Sequence, residues 1–212
     1  HDGLVGNEVM ALIPAHARRI SVAKRRARHT LAQDEIGDLL VAEARAGHTV
    51  VRLKGGDPFI FGRGGEEVDA ALAAGVPVVV IPGISAANGA AASTLMPLTH
   101  RDLASMVSFV AGECRGLAEQ NWAGLAGKGR TLVIYMGLQG LDRICEALIE
   151  HACEPDRPAA LVQQGTTRHQ KVILGTVASL PAEVARAGAS APTLVIVGQV
   201  VQLRRKLDWF QG

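Results

Sequence analysis

The sequence predicts an α/β protein in two halves, with a parallel sheet in the first and a mixed sheet in the second. Three observations carry that expectation. The chain of 212 residues is 48% hydrophobic yet only 3% aromatic, with 24 glycines, so its interior is built from Ala, Val, Leu and Ile around many tight turns. The run Val76–Ile81 is wholly apolar without alternation, as strands covered on both faces are. The second half carries several shorter apolar runs, two of them flanking Gln163-Gln164-Gly165-Thr166 in the manner of a hairpin. A 20% charged content at this length excludes a disordered chain, a small disulfide scaffold and a collagen-like repeat.

The elements follow in order. Thr30 and Gln33 read as a capping box, Leu31, Leu39, Leu40 and Ala44 recur at helical spacing, and Gly47 is a stop, so a helix is expected from Thr30 to Ala46. Thr49–Lys54 (TVVRLK) is a strand running into Gly55-Gly56-Asp57-Pro58, and Glu66–Ala74 is a helix closed by Gly75. Val76–Ile81 is the next strand, ending at Pro82-Gly83, with a helix from about Ser85. Pro97–Asp102 (PLTHRD) ends a long neutral stretch and divides the chain into residues 1–102 and 103–212. Beyond it, Ser105–Ala111, Thr131–Tyr135, Ala159–Val162, Lys171–Thr176 and Thr193–Val197 are expected strands, and Leu138–Glu150 and Leu180–Ala187 expected helices.

Charge and cysteine usage narrow the chemistry. A net charge of +2 does not by itself argue for nucleic acid, although Arg18, Arg19, Lys24, Arg25, Arg26 and Arg28 crowd one stretch that reads first as a solvated face. Cys114, Cys145 and Cys153 lack C-x-x-C spacing, which suits a reducing cytoplasm and implies neither a disulfide framework nor a metal site. Ala70–Thr99 has no charged residue, but its glycines and prolines break it into strand, turn and helix rather than a membrane span. No basic segment followed by an apolar run opens the sequence, so no secretory signal is expected in it.

A glycine pair at the carboxyl end of a parallel strand allows a ligand to touch backbone, and Gly55-Gly56 fits that use; a tight loop turn is the structural alternative. The string is neither a Walker loop nor G-x-G-x-x-G. Phe59-Ile60-Phe61-Gly62-Arg63-Gly64-Gly65 sets two of four phenylalanines beside three glycines and an arginine, the composition of a binding wall. The whole block VRLKGGDPFIFGRGGEE (Val51–Glu67), with PGISAA (Pro82–Ala87) and PLTHRD, closely resembles the tetrapyrrole methylase family, and within it the branch that methylates uroporphyrinogen III. The resemblance extends through HDGLV (His1–Val5), AKR (Ala23–Arg25), YMG (Tyr135–Gly137), QQGT (Gln163–Thr166) and VGQVVQLR (Val197–Arg204).

The resemblance implies a two-domain tetrapyrrole methylase fold enclosing a cleft, a cytoplasmic homodimer, and methyl transfer from S-adenosylmethionine to carbons of uroporphyrinogen III. The products would be precorrin-2, for siroheme or cobalamin, and S-adenosylhomocysteine, with no metal, nucleic acid or membrane. It assigns the cofactor site to Gly55, Gly56, Asp57, Ile60, Ser85, Ala86, Met136 and Gly165, the proton acceptor to Asp2 and the proton donor to Lys24. A substrate rimmed by carboxylates makes Arg25, Arg63 and Arg101 candidates for bidentate capture, with His100 beside them. Departures from the family pattern stand at Gly3, Ala23 and Glu113, and the pattern further implies a first strand and a Gly-Pro-rich loop ahead of His1. Trp122, Trp209 and Phe210 read as packing residues. Two alternatives stay open: another methylase of the same fold, acting on a later precorrin, a diphthine precursor or ribosomal RNA, and a non-catalytic binder of tetrapyrrole or RNA.

Overall fold

The computed structural model describes residues 1–23, 32–113 and 120–206. The chain forms two compact units, His1–Ser85 and Ala86–Gly212.

The first unit holds helices α1 (Asn7–Ala11), α2 (Gln33–Arg45) and α3 (Gly64–Ala73). Asp34 and Glu35 sit in the first turn of α2 and Arg45 in its last, each matching the helix dipole. The Glu35 carboxylate accepts the Ala32 N–H, one of the donors the helix start leaves unpaired. The expected cap at Thr30 lies outside the described residues. Helices α2 and α3 meet at Gly37, where an added Cβ would come within 2.9 Å of the Ala70 Cβ. The helix interface buries Ile36, Gly37, Glu67 and Ala71.

The expected strands Thr49–Lys54 and Val76–Ile81 form no ladder with any described residue. Among the described residues, backbone bonds reach them near their ends, from Asp2 N–H to Leu53 O at 3.3 Å and from Val76 N–H to Ala71 O at 2.9 Å. Val51, Val79 and Ile81 are accordingly 78%, 87% and 78% exposed. The parallel sheet expected of the first half is therefore not formed by the described residues. The reason is that a strand is a property of a pair: apolar patterning writes the segment, but its N–H and C=O groups need a neighbour in register.

The second unit carries α4 (Ala86–Thr94), β1 (Ala104–Ala111), β2 (Gly129–Tyr135), α5 (Leu141–Glu150), β3 (Pro158–Gln163), β4 (Lys171–Thr176), α6 (Leu180–Ala187) and β5 (Thr193–Val197). A 3₁₀ turn at Gln199–Gln202 and α7 (Leu203–Lys206) follow. The sheet order is β1-β2-β5-β3-β4, with β1 and β2 parallel and every other neighbouring pair antiparallel. This is the mixed sheet the sequence predicts, β3 and β4 forming the hairpin across Gln164–Gln170.

Two cores lie on the two sheet faces, sorted by the period-two alternation of strand side chains. Leu132, Ile134, Leu161, Val195 and Val197 join Ile144, Leu148 and Leu180 from α5 and α6. Val133, Tyr135, Ala160, Val162, Leu194 and Ile196 face the other way, onto Ala87 and Ala90 of α4 and Met96. Small residues on α4 let it lie close to the sheet, which is why Ala86–Thr94 belongs with the second unit.

Trp122 is buried in the first of these cores, as its packing role requires, while Trp209 and Phe210 lie outside the described residues. Cys145 and Cys153 are buried free thiols, Cys145 pushed up to about 12 by desolvation, and both are packing residues rather than nucleophiles. Cys114 lies outside the described residues. No helix among the described residues is long and apolar enough to cross a membrane.

Leu161 is fully buried at the middle of β3. Leu161→Ala is expected to cost about 2–5 kcal/mol, read from chemical denaturation followed by circular dichroism.

Candidate active site and cofactor loop

In the first unit the turn Gly55-Gly56-Asp57 is held from three sides. The Asp57 carboxylate accepts the Phe59 N–H at 2.9 Å through Oδ1 and the Gly83 N–H at 3.1 Å through Oδ2. It thus ties the end of one expected strand to the end of the other. These N–H donors, Gly83 first, hold its carboxyl below the ordinary aspartate value, so it is ionised at neutral pH. Gly83 has to be glycine, since an added Cβ would lie 2.5 Å from the Gly56 carbonyl oxygen. Gly56 sits at φ +139°, a conformation open to glycine, and faces only the Ile84 oxygen at 3.7 Å.

The chain start closes the third side. Asp2 Oδ2 accepts the Gly55 N–H at 3.3 Å, and Oδ1 accepts the Leu4 N–H at 3.0 Å. A Cβ on Gly55 would meet the Leu4 Cβ at 2.6 Å and its carbonyl carbon at 2.9 Å. Beyond the turn, Phe59, Ile60 and Phe61 are exposed large apolar side chains. Arg63 takes a left-handed conformation (φ 57°) at the start of α3 and is held by Glu66 at 2.6 Å.

Beneath this turn lies a charged cluster that sequence reasoning passed over. Glu67, buried on α3, accepts from Lys54 Nζ at 2.9 and 3.0 Å, from Arg52 Nε at 3.2 Å and from Gln33 Nε2 at 3.3 Å. The signal was present: Arg52 and Lys54 are two apart, hence on one face of an extended stretch, ahead of a helix opening with Glu66-Glu67.

The second unit presents its own set at the carboxyl ends of the parallel pair β1 and β2, where open α/β sheets place ligands. Gly112 and Gly137 approach so closely there that a Cβ on Gly112 would lie 2.7 Å from the Gly137 Cα. Met136, at φ 53°, is half exposed beside them. Tyr135, the one tyrosine of the sequence, accepts the Ala87 N–H at 3.1 Å through its hydroxyl and so fixes the start of α4 next to Ala86. Gly165 lies against α4, its absent Cβ 3.5 Å from that of Ala90. Gln170 fastens this turn: its Oε1 accepts from Thr166 N–H at 2.7 Å and from Ser93 Oγ at 2.6 Å. Tyr135 lay within the quoted YMG string without a role, and Gln170 carried no sequence signal.

The structure thus brings Asp2, Gly55, Gly56, Asp57 and Ile60 together in one unit, and Ala86, Met136 and Gly165 into the other; Ser85 is buried at the end of the first. His100 Nδ1 accepts the Asp102 N–H at 3.2 Å in the turn before β1, and Arg101 is exposed beside it. Lys24 and Arg25 lie outside the described residues. Arg18 pairs with Glu43 and Arg19 donates to the Ile13 carbonyl, the bonds of a solvated face. No group of three metal-ligating side chains occurs among the described residues.

Residues 2–181 match the tetrapyrrole (corrin/porphyrin) methylases. The chain belongs to that family. Over its whole length it is 53% identical to a siroheme synthase of Methylococcus capsulatus, of which it covers 45%. Two solved structures of the Thermus thermophilus uroporphyrin-III C-methyltransferase are also similar. One is 38% identical, with a TM-score of 0.78 over 98% of this chain and 84% of that one. The other, complexed with S-adenyl homocysteine, is 34% identical, with a TM-score of 0.78 over 95% of this chain and 85% of that one. The chain spans about half the length of the curated relatives it matches.

Two outcomes test this tetrapyrrole methylase turn. Gly55→Ala is expected to destabilise by about 1–3 kcal/mol in urea unfolding through the clash with Leu4, whereas Gly65→Ala, which meets open space, changes stability by less than about 0.5 kcal/mol. Because the folded Asp57 pKa is lowered, the tie to Gly83 is intact above the ordinary aspartate range and is lost as pH falls through the lowered value. In an NMR titration the Gly83 amide resonance therefore moves only below that range, and Asp57→Asn removes the transition.

Proposed function

We propose that the chain transfers methyl groups from S-adenosylmethionine to carbons of uroporphyrinogen III, giving precorrin-2 and S-adenosylhomocysteine. The observation that carries this reading is the bond between the Asp2 carboxylate and the Gly55 N–H. It joins the HDGLV and GGDP segments, 53 residues apart, so that the proposed proton acceptor sits on the proposed cofactor turn. The likeness to siroheme synthases and to a methyltransferase complexed with S-adenyl homocysteine supports the same chemistry.

The residues present fit such a co-substrate. Gly56 leaves space where any side chain would stand, Asp57 fixes the turn from its own side, and Ile60 with its phenylalanine neighbours gives an apolar wall for an adenosyl group. Ser85, Ala86, Met136 and Gly165 are the remaining proposed contacts. S-adenosylmethionine supplies an electrophilic methyl group when bound. The protein's part is to hold a pyrrole carbon in line with that methyl, an entropic task that supplies most of the rate, and to manage protons. Asp2 is the proposed acceptor of the one proton the ring loses for each methyl it gains, and Lys24 the proposed proton donor. Arg25, Arg63, Arg101 and His100 hold the substrate carboxylates, Arg63 exchanging Glu66 for them. The same reading makes the protein a cytoplasmic homodimer with no nucleic-acid, membrane or metal partner.

Incubation with uroporphyrinogen III and methyl-labelled S-adenosylmethionine is expected to yield a doubly labelled tetrapyrrole. Label passing only to a later precorrin, a diphthine precursor or ribosomal RNA, or to nothing, would refute the assignment. Lys24→Ala is expected to lower kcat by about 100-fold or more while leaving cofactor affinity within about 2-fold, and equal losses in both would remove the donor role.

A further inference from the structure

We infer that Glu67 is a positioning residue for Asp2, acting through Arg52; the inference rests on the proposed role of Asp2 as proton acceptor. Arg52 lies between the two acids. Its Nε donates to Glu67 Oε1 at 3.2 Å, its Nη1 donates to the Leu53 carbonyl at 3.0 Å, and the same Nη1 is 3.9 Å from Asp2 Oδ2. Because guanidinium is planar and rigid, fixing Nε and one Nη1 bond fixes where the other Nη1 hydrogen is aimed. The Asp2 carboxylate lies 3.9 Å from that nitrogen, within ion-pair reach of it.

The Leu53 carbonyl completes the arrangement, since it accepts from Arg52 Nη1 and also from the Asp2 N–H at 3.3 Å. Asp2 is therefore registered to the 52–55 segment at its main chain, at Oδ2 through Gly55 and electrostatically through Arg52. Glu67 is the fixed end of this chain of contacts. It is 7% exposed, rooted in a helix, and balanced by the two cations it serves, Lys54 on its other side at 2.9 Å. Four charged groups, Glu67, Arg52, Lys54 and Asp2, close to a neutral set, which is what a partly buried cluster requires. Removing the Glu67 charge leaves Arg52 and Lys54 facing an uncharged acceptor. Arg52 is then released from its fixed direction.

The proposal predicts a kinetic signature distinct from simple loosening of the fold. Glu67→Gln lowers kcat for labelled methyl transfer by about 10-fold, moves KM for S-adenosylmethionine and for uroporphyrinogen III by less than about 2-fold, and shows no further loss when combined with Asp2→Asn. Arg52→Lys, which keeps the charge and loses the fork, behaves in the same way. Losses that multiply in the Asp2→Asn background, or equal changes in kcat and KM, overturn the inference while leaving the role of Asp2 intact. An Asp2→Asn protein with undiminished transfer removes that role and the inference with it, and is told apart by that single variant. Should Glu67→Gln not fold, the Arg52→Lys cycle decides by the same criteria.

Discussion

The bond from Gly83 N–H to the Asp57 carboxylate is the constraint on which the first unit depends. Neither stretch it joins forms a ladder with any described residue, and the Gly55-Gly56 and Pro82-Gly83 turns are linked by this carboxylate and by two glycines that let backbone meet backbone. An exposed carboxylate is well suited to the task. Its own loop and the facing loop both supply N–H donors, so ionisation is favoured.

The two units solve the same problem of order by different means. In the second, strand alternation sorts residues such as Leu132 and Val133 onto opposite faces, and two apolar cores fix the sheet. In the first, apolar burial is confined largely to the contact of α2 with α3, and position is set by polar groups: Asp57 above, and the Glu67, Arg52 and Lys54 cluster below. Charge networks of this kind contribute little net stability but give directional precision. A turn proposed to present backbone to a ligand has more use for direction than for bulk.

What the sequence made legible follows from the range of the forces involved. The strands of the second unit and helices α5 and α6 were readable because alternation and amphipathic spacing are local and each element found its partner. Val76–Ile81 carried an equally strong strand pattern and forms none among the described residues, since pairing is a tertiary property that a pattern cannot supply. The Gly55-Gly56-Asp57 turn was singled out as a candidate site through its resemblance to a family, not through spacing. Gln170 was not legible at all, and Glu67 only as an acid at a helix start following two cations on one face, without its partners. Each acts by reaching a partner far along the chain, Lys54 and Ser93 respectively, and only the folded chain shows who that partner is.

If Asp57 shapes the turn that receives S-adenosylmethionine, its loss should be felt in binding before chemistry. Calorimetric titration with S-adenosylhomocysteine tests this most directly. The account predicts saturable binding to the unaltered protein and a dissociation constant raised by about 10-fold or more in Asp57→Ala, equivalent to about 1.4 kcal/mol. An unchanged dissociation constant would contradict it.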